Sequence, residues 1–96
     1  MVTLRDMQMH RDDVFRICRA HGGSHVRLFG SVVRGEQTPD SDIDLLVDLA
    51  EDRSLLDRIA IKQDMEDFLH VRVDVVSPKA LHPAIREKIL QEAIAL

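Results

Sequence analysis

The run His25-Val26-Arg27-Leu28-Phe29-Gly30-Ser31, followed after ten residues by Asp42-Ile43-Asp44-Leu45-Leu46-Val47, carries the architecture of this chain. Its first part reads as a short strand that stops at a glycine and passes into a helical turn through Val32-Val33-Arg34. Gly35 to Ser41, rich in Gly, Thr, Pro and Asp, reads as a loop. Asp42 to Leu49 then reads as a second strand. Residues i and i+2 of a strand share a face, so Asp42 and Asp44 project together, about 6–7 Å apart at their Cα atoms. A strand ending in glycine ahead of a helical start leaves backbone N–H groups free to meet an anion, and a serine hydroxyl adds a donor. Arg34 and Gly35 lie within one further turn of Gly30 and Ser31 and complete a candidate phosphate cradle.

The flanking segments supply the rest of a small layered domain. Thr3 is placed to cap a helix running to about His21, with Met7, Val14, Ile17 and Cys18 as its apolar stripe and Gly22-Gly23 as its stop. Ser54 with Asp57 reads as a capping box for a helix to about Leu69. The apolar positions of that helix spread wider than one stripe, which suggests a partner surface as well as a core. Val71 to Val76 reads as a third strand ended by Ser77-Pro78. Pro83 suits the first turn of a last helix through Glu92-Ala93, in which Ile85, Ile89 and Ala93 recur every four residues. This order favours an α/β or α+β fold with one small sheet, spanning residues 1–96 as one domain.

Composition narrows the class. The chain has 96 residues, 45% hydrophobic and 31% charged, with three Phe as its only aromatics. At this size roughly 60–65% of the unfolded surface can be buried, which permits one thin, aliphatic core. One cysteine excludes an internal disulfide and fits a reducing compartment. No apolar run is long enough for a bilayer, and residues 1–6 lack the apolar stretch of a signal peptide, so a cytoplasmic protein is expected. The net charge of −4 is uneven. Residues 1–37 carry six Arg against four acids, residues 38–77 four bases against eleven acids, and residues 78–96 three bases against two acids. An acidic middle argues against a phosphate-backbone binder and fits a site that holds cations, so no direct nucleic-acid binding is expected.

The third strand adds Asp74, which alternates against Val73 and Val75 and so faces away from that apolar pair. If the second and third strands are neighbours, Asp42, Asp44 and Asp74 converge. Two like charges 4 Å apart repel by about 4 kcal/mol at an effective dielectric of 20, so such a cluster needs protons or cations. Paired divalent metals, about 3.5–4 Å apart, clamp the attacking and leaving oxygens of a phosphoryl displacement. Mg²⁺ takes a few carboxylates plus substrate phosphate oxygens, and Mn²⁺ accepts the same ligands.

Blander readings exist for each feature. Taken alone, the three aspartates would be ordinary surface carboxylates. Asp40, Asp42, Asp44 and Glu51 fall at positions one, three, five and twelve of an EF-hand, but the sixth, which needs glycine, is Leu45. Cys18, His21 and His25 have zinc-like spacing without an evident fourth ligand, so a core cysteine with exposed histidines is the simpler reading. Arg34 is either a phosphate contact or a solvated loop cation. Arg5, Arg11, Arg16 and Arg19 read as a solvated helix face, Ser77 as a turn residue, and Met7, Met9 and Met65 as packing.

Gly30-Ser31-Val32-Val33-Arg34-Gly35, with Ser41-Asp42-Ile43-Asp44-Leu45-Leu46-Val47 and Arg72-Val73-Asp74-Val75-Val76, resembles the minimal nucleotidyltransferases of the DNA polymerase β superfamily. With the closing helix the resemblance covers nearly the whole chain. It implies a small mixed sheet with helices packed on it. It further implies that Asp42 and Asp44 bind two metal ions, that Asp74 completes the site and helps activate the acceptor hydroxyl, and that Gly30 and Ser31 hold the terminal phosphates of ATP. Short members of this family are typically antitoxins paired in a hetero-oligomer with a helical HEPN-type RNase toxin, which they inactivate by transferring AMP to a tyrosine. A chain of this size lacks room for a second domain to present the acceptor, which also calls for a partner. Two rivals to this expectation are a binding module that silences its partner by occlusion, and a transferase acting on RNA or a small molecule.

Overall fold

The computed structural model describes residues 1–96. Thr3 opens helix α1 (Leu4–Met9): its hydroxyl accepts from Asp6 N–H while the Asp6 carboxylate accepts from Thr3 N–H, a reciprocal capping box. The single helix expected up to His21 is two. His10 breaks it, at φ −103° and ψ 17°, and helix α2 (Arg11–Ala20) follows. No glycine or proline marks the break; the His10 ring packs edge-on against Phe68, with centroids 5.6 Å apart. The bend lets Met7 of α1 and Val14 and Cys18 of α2 enter one core.

Strand β1 (Gly23–Phe29), the short helix α3 (Ser31–Arg34), strand β2 (Ile43–Leu49), helix α4 (Leu55–Leu69) and strand β3 (Val73–Val76) come next. A 3₁₀ turn at Pro78–Ala80, helix α5 (Pro83–Glu92) and the two-residue strand β4 (Ile94–Ala95) complete the chain. The sheet order is β3-β2-β1-β4: β1 runs antiparallel to β2 and β4, while β2 and β3 are parallel. The mixed α/β sheet expected from the sequence is therefore present, with one strand more. Alternation along β2 sorts its two faces. Ile43, Leu45 and Val47 join the core with Ile61 and Met65 of α4, leaving Asp44, Leu46 and Asp48 on the opposite face.

Helix α4 fixes β3 with its polar side. Glu66 Oε2 accepts from Val73 N–H at 3.0 Å, Lys62 Nζ donates to Val73 O at 3.0 Å, and Arg58 donates to Val75 O at 3.0 Å. The outer strand, and with it Asp74, is thus held by three side chains one helical turn apart. Leu55 and Leu56 at the start of α4 stay exposed, at 58% and 75%, in keeping with the spread of its apolar positions. One packing expectation fails: Met9 is 72% exposed at the end of α1, turned away from the core that Met7 fills. Helix α5 forms where expected but buries none of its residues, with Ile85 53% exposed.

Candidate functional site

Asp44 and Asp74 are register partners across the parallel β2–β3 pair. Register partners in adjacent strands share a face, so both carboxylates stand on the side of the sheet away from the main core. Asp42 lies one residue before β2 and is exposed. Its Oδ1 forms an ion pair with Arg72 Nε at 3.1 Å, and Arg72 donates a hydrogen bond to the Asp40 carbonyl at 2.8 Å. Asp44 is half-buried between the other two. Burial above all, then the charges of Asp74 and Asp42, push its carboxyl up to about 6, with Arg34 opposing. Asp44 feels the charge of both neighbours, yet no three His, Cys, Asp or Glu side chains form a ready-made metal cage.

Gly30 follows β1 directly and faces Asp44. Phe29 is the register partner of Asp44 on the antiparallel side, which carries the turn over the carboxylate. Gly30 adopts φ 78° and ψ −154°, a conformation essentially confined to glycine. Its carbonyl accepts from Val33 N–H and Arg34 N–H at 3.1 and 3.2 Å, which starts α3 and sets Ser31 as its first residue. Gly35 ends α3 in the left-handed region at φ 71°, with open space where a Cβ would lie, so the turn itself accounts for that glycine.

Arg34 is neither a free loop cation nor aimed at empty solvent. Its Nε donates to Glu36 Oε2 at 3.0 Å and a terminal nitrogen donates to Glu92 Oε1 at 2.5 Å. Glu92 also accepts from Gly30 N–H at 3.4 Å. Sequence reasoning missed Glu92 as part of this cluster. It is a lone acid ending a helix, and only the pairing of β4 with Arg27 and Leu28 brings it across the fold. The zinc-like trio does not assemble: Cys18 is fully buried in the core, while His21 pairs with Asp64 at 2.8 Å.

The chemical character is plain. An oxygen-only, anionic donor group sits next to a glycine turn and a guanidinium, with Asp42 and Asp74 exposed and Asp44 half-buried. The larger hollows of the surface lie elsewhere. One of about 430 Å³ sits at the far end of β2, by Leu49, Arg53 and Lys79; another of about 330 Å³ lies between Phe15, Val26 and Leu96.

Residues 12–96 match the family described as the nucleotidyltransferase domain. A Methanocaldococcus jannaschii protein provisionally named a protein adenylyltransferase is 40% identical over 81 residues, covering 84% of this chain and 87% of that protein. Protein adenylyltransferase MntA of Thermococcus cleftensis is 41% identical over 73 residues, covering 76% of this chain and 74% of its own length. Among solved structures, one described provisionally as a minimal nucleotidyltransferase superposes with a TM-score of 0.88 at 48% identity, covering 98% of this chain and 96% of the other. The MNT antitoxin complexed with the tri-AMPylated Shewanella oneidensis HEPN toxin shares the fold, with a TM-score of 0.71 at 19% identity over 93% of this chain and 70% of the other.

Proposed function

The chain belongs to the nucleotidyltransferase domain family, and from that premise we propose that it transfers AMP from ATP to a hydroxyl of a partner protein. The favoured acceptor is a tyrosine of a HEPN-type helical toxin, which makes this chain, as one domain of residues 1–96, the toxin's cytoplasmic antitoxin. The observation that carries this reading is the register pairing of Asp44 with Asp74, with the Asp44 carboxylate lying directly against Gly30. The names of the similar adenylyltransferases support the reaction, and the HEPN–MNT complex of the same fold supports the partner.

Asp42, Asp44 and Asp74 suit Mg²⁺, or Mn²⁺ in its place: all donors are carboxylate oxygens, and their crowding is relieved by added positive charge. A bound pair of ions supplies charge neutralisation at the α-phosphate and at the departing pyrophosphate. The chain's own residues position. Gly30 gives the backbone close approach, Ser31 and Arg34 donate to the terminal phosphates, and Gly35 shapes the end of that turn. Asp74 takes up the proton of the acceptor hydroxyl as its oxygen bonds to the α-phosphorus and the bond to pyrophosphate breaks. In this reading the acceptor hydroxyl arrives on the partner, at the exposed Asp42 and Asp74. Pyrophosphate release tests this: it should need ATP, a divalent metal and the partner together, and Asp42→Ala should stop it while the protein still melts cooperatively. Release that proceeds unchanged in that variant would contradict the assignment. Silencing of the partner without any release would favour occlusion.

A further inference from the structure

Glu92 is the side chain through which the C-terminal arm reaches the site. Helix α5 contributes nothing to the core, and β4 pairs with β1 at only two positions. From the end of that arm, one Glu92 oxygen meets the Arg34 guanidinium and the other meets Gly30 N–H, residues 58 and 62 positions away in sequence. Arg34 is close enough to Asp44 for its charge to be felt there. An arginine tethered only by Glu36, its neighbour on the same turn, would be free to fold onto the aspartates. With Nε and one terminal N–H engaged by Glu36 and Glu92, three of the five guanidinium N–H groups remain available for another acceptor.

We infer that Glu92 is a positioning residue for triphosphate binding: it holds the Arg34 guanidinium beside the Gly30–Ser31 turn and off the Asp44–Asp74 carboxylates. The inference rests on the nucleotidyltransferase reading above and deepens it. Glu92 itself touches no phosphate in this account; it acts through Arg34 and through the orientation of Gly30 N–H. A charge-assisted contact in a fixed geometry is what the pair supplies, and loss of the anchor scatters the arginine among rotamers.

The test is a cycle of Glu92→Ala, Arg34→Ala and the double variant, with Glu92→Gln as the conservative control. Affinity for α,β-methylene-ATP is measured by calorimetry, and KM and kcat for ATP are measured in transfer to the partner. Glu92→Ala should weaken analogue binding and raise KM by about tenfold, with kcat changed by less than about threefold. Glu92→Gln, which keeps an acceptor for Gly30 N–H, should recover part of the loss. The double variant should be no worse than Arg34→Ala, because one residue works through the other. Tighter binding in Glu92→Ala would overturn the inference by making Glu92 a competitor of phosphate. Multiplying losses, or a lower Tm with unchanged KM, would overturn it by making Glu92 an independent or merely structural group. A wild-type chain that neither binds the analogue nor transfers would instead sink the functional reading itself, and this inference with it.

Discussion

A Cβ built on Gly30 would lie 2.1 Å from Oδ2 of Asp44, so the glycine turn and the half-buried carboxylate fit only because no side chain separates them. The backbone of Gly30 adds a second demand, since its φ of 78° with ψ −154° strains any other residue. Gly30→Ala should therefore lose about 1–3 kcal/mol of stability and, by displacing Asp44, about a hundredfold or more in transfer rate. Denaturant titration and a transfer assay on the same preparation check both. A variant that is destabilised yet transfers normally would show that the close approach serves folding alone.

The α4–β3 junction predicts an acid limb. Glu66 Oε2 accepts from Lys62 Nζ at 2.9 Å and from Val73 N–H at 3.0 Å, and these two bonds, the lysine's first, hold its carboxyl below the ordinary range. A carboxyl depressed on folding adds stability that is complete above its unfolded value and lost as pH falls through the folded one. Stability should thus decline below about pH 4, and Glu66→Gln should flatten that decline while lowering stability near neutrality. Urea midpoints across the acid range decide it; superimposable limbs for the two proteins would remove Glu66 from the account.

Cys18 is fully buried, and burial pushes its thiol up to about 11. Only the thiolate is reactive, so iodoacetamide near pH 8 should label the folded protein about a hundredfold more slowly than the urea-unfolded one. Mass spectrometry over time gives both rates. Equal rates would mean that α2 opens far more readily than its packing implies.

Two residues on α4 separate core from surface. Ile61 is fully buried, whereas Leu56 is 75% exposed. Ile61→Ala should cost about 2–5 kcal/mol, while Leu56→Ser should stay within about 0.5 kcal/mol. Equilibrium unfolding of the two variants measures the contrast, and a large loss at Leu56 would refute the exposed face.

Much of this was legible from residue order alone. Gly30, the Asp42–Asp44 spacing and Asp74 are local signals, because a strand's two-residue period and a glycine stop do not depend on distant parts of the chain. The caps at Thr3 and Ser54 were legible for the same reason: each box closes within three residues. What escaped depends on contacts far apart in sequence. The break at His10 goes with packing against Phe68 rather than with a breaker residue. Strand β4 is two residues long and exists only through its pairing with Arg27 and Leu28. The four-residue spacing of Ile85, Ile89 and Ala93 marks the helix but not how lightly it packs: α5 buries none of its residues. Glu92 was invisible as a site residue because its meaning lies in Gly30 and Arg34, more than fifty positions earlier.

If Asp44 belongs to the chemistry and not to the scaffold, neutralising it should abolish transfer without harming the fold. Its carboxyl sits well above the ordinary range because of burial and neighbouring charge, so neutral Asp44→Asn should fold at least as well as the native chain at pH 7. The most direct measurement is the intact mass of the HEPN-type partner after incubation with ATP, Mg²⁺ and either the native chain or Asp44→Asn. The account predicts a gain of one or more AMP groups on the partner with the native chain and none with the variant. Equal gains with both proteins, or no gain with the native chain while the partner is still silenced, would contradict it.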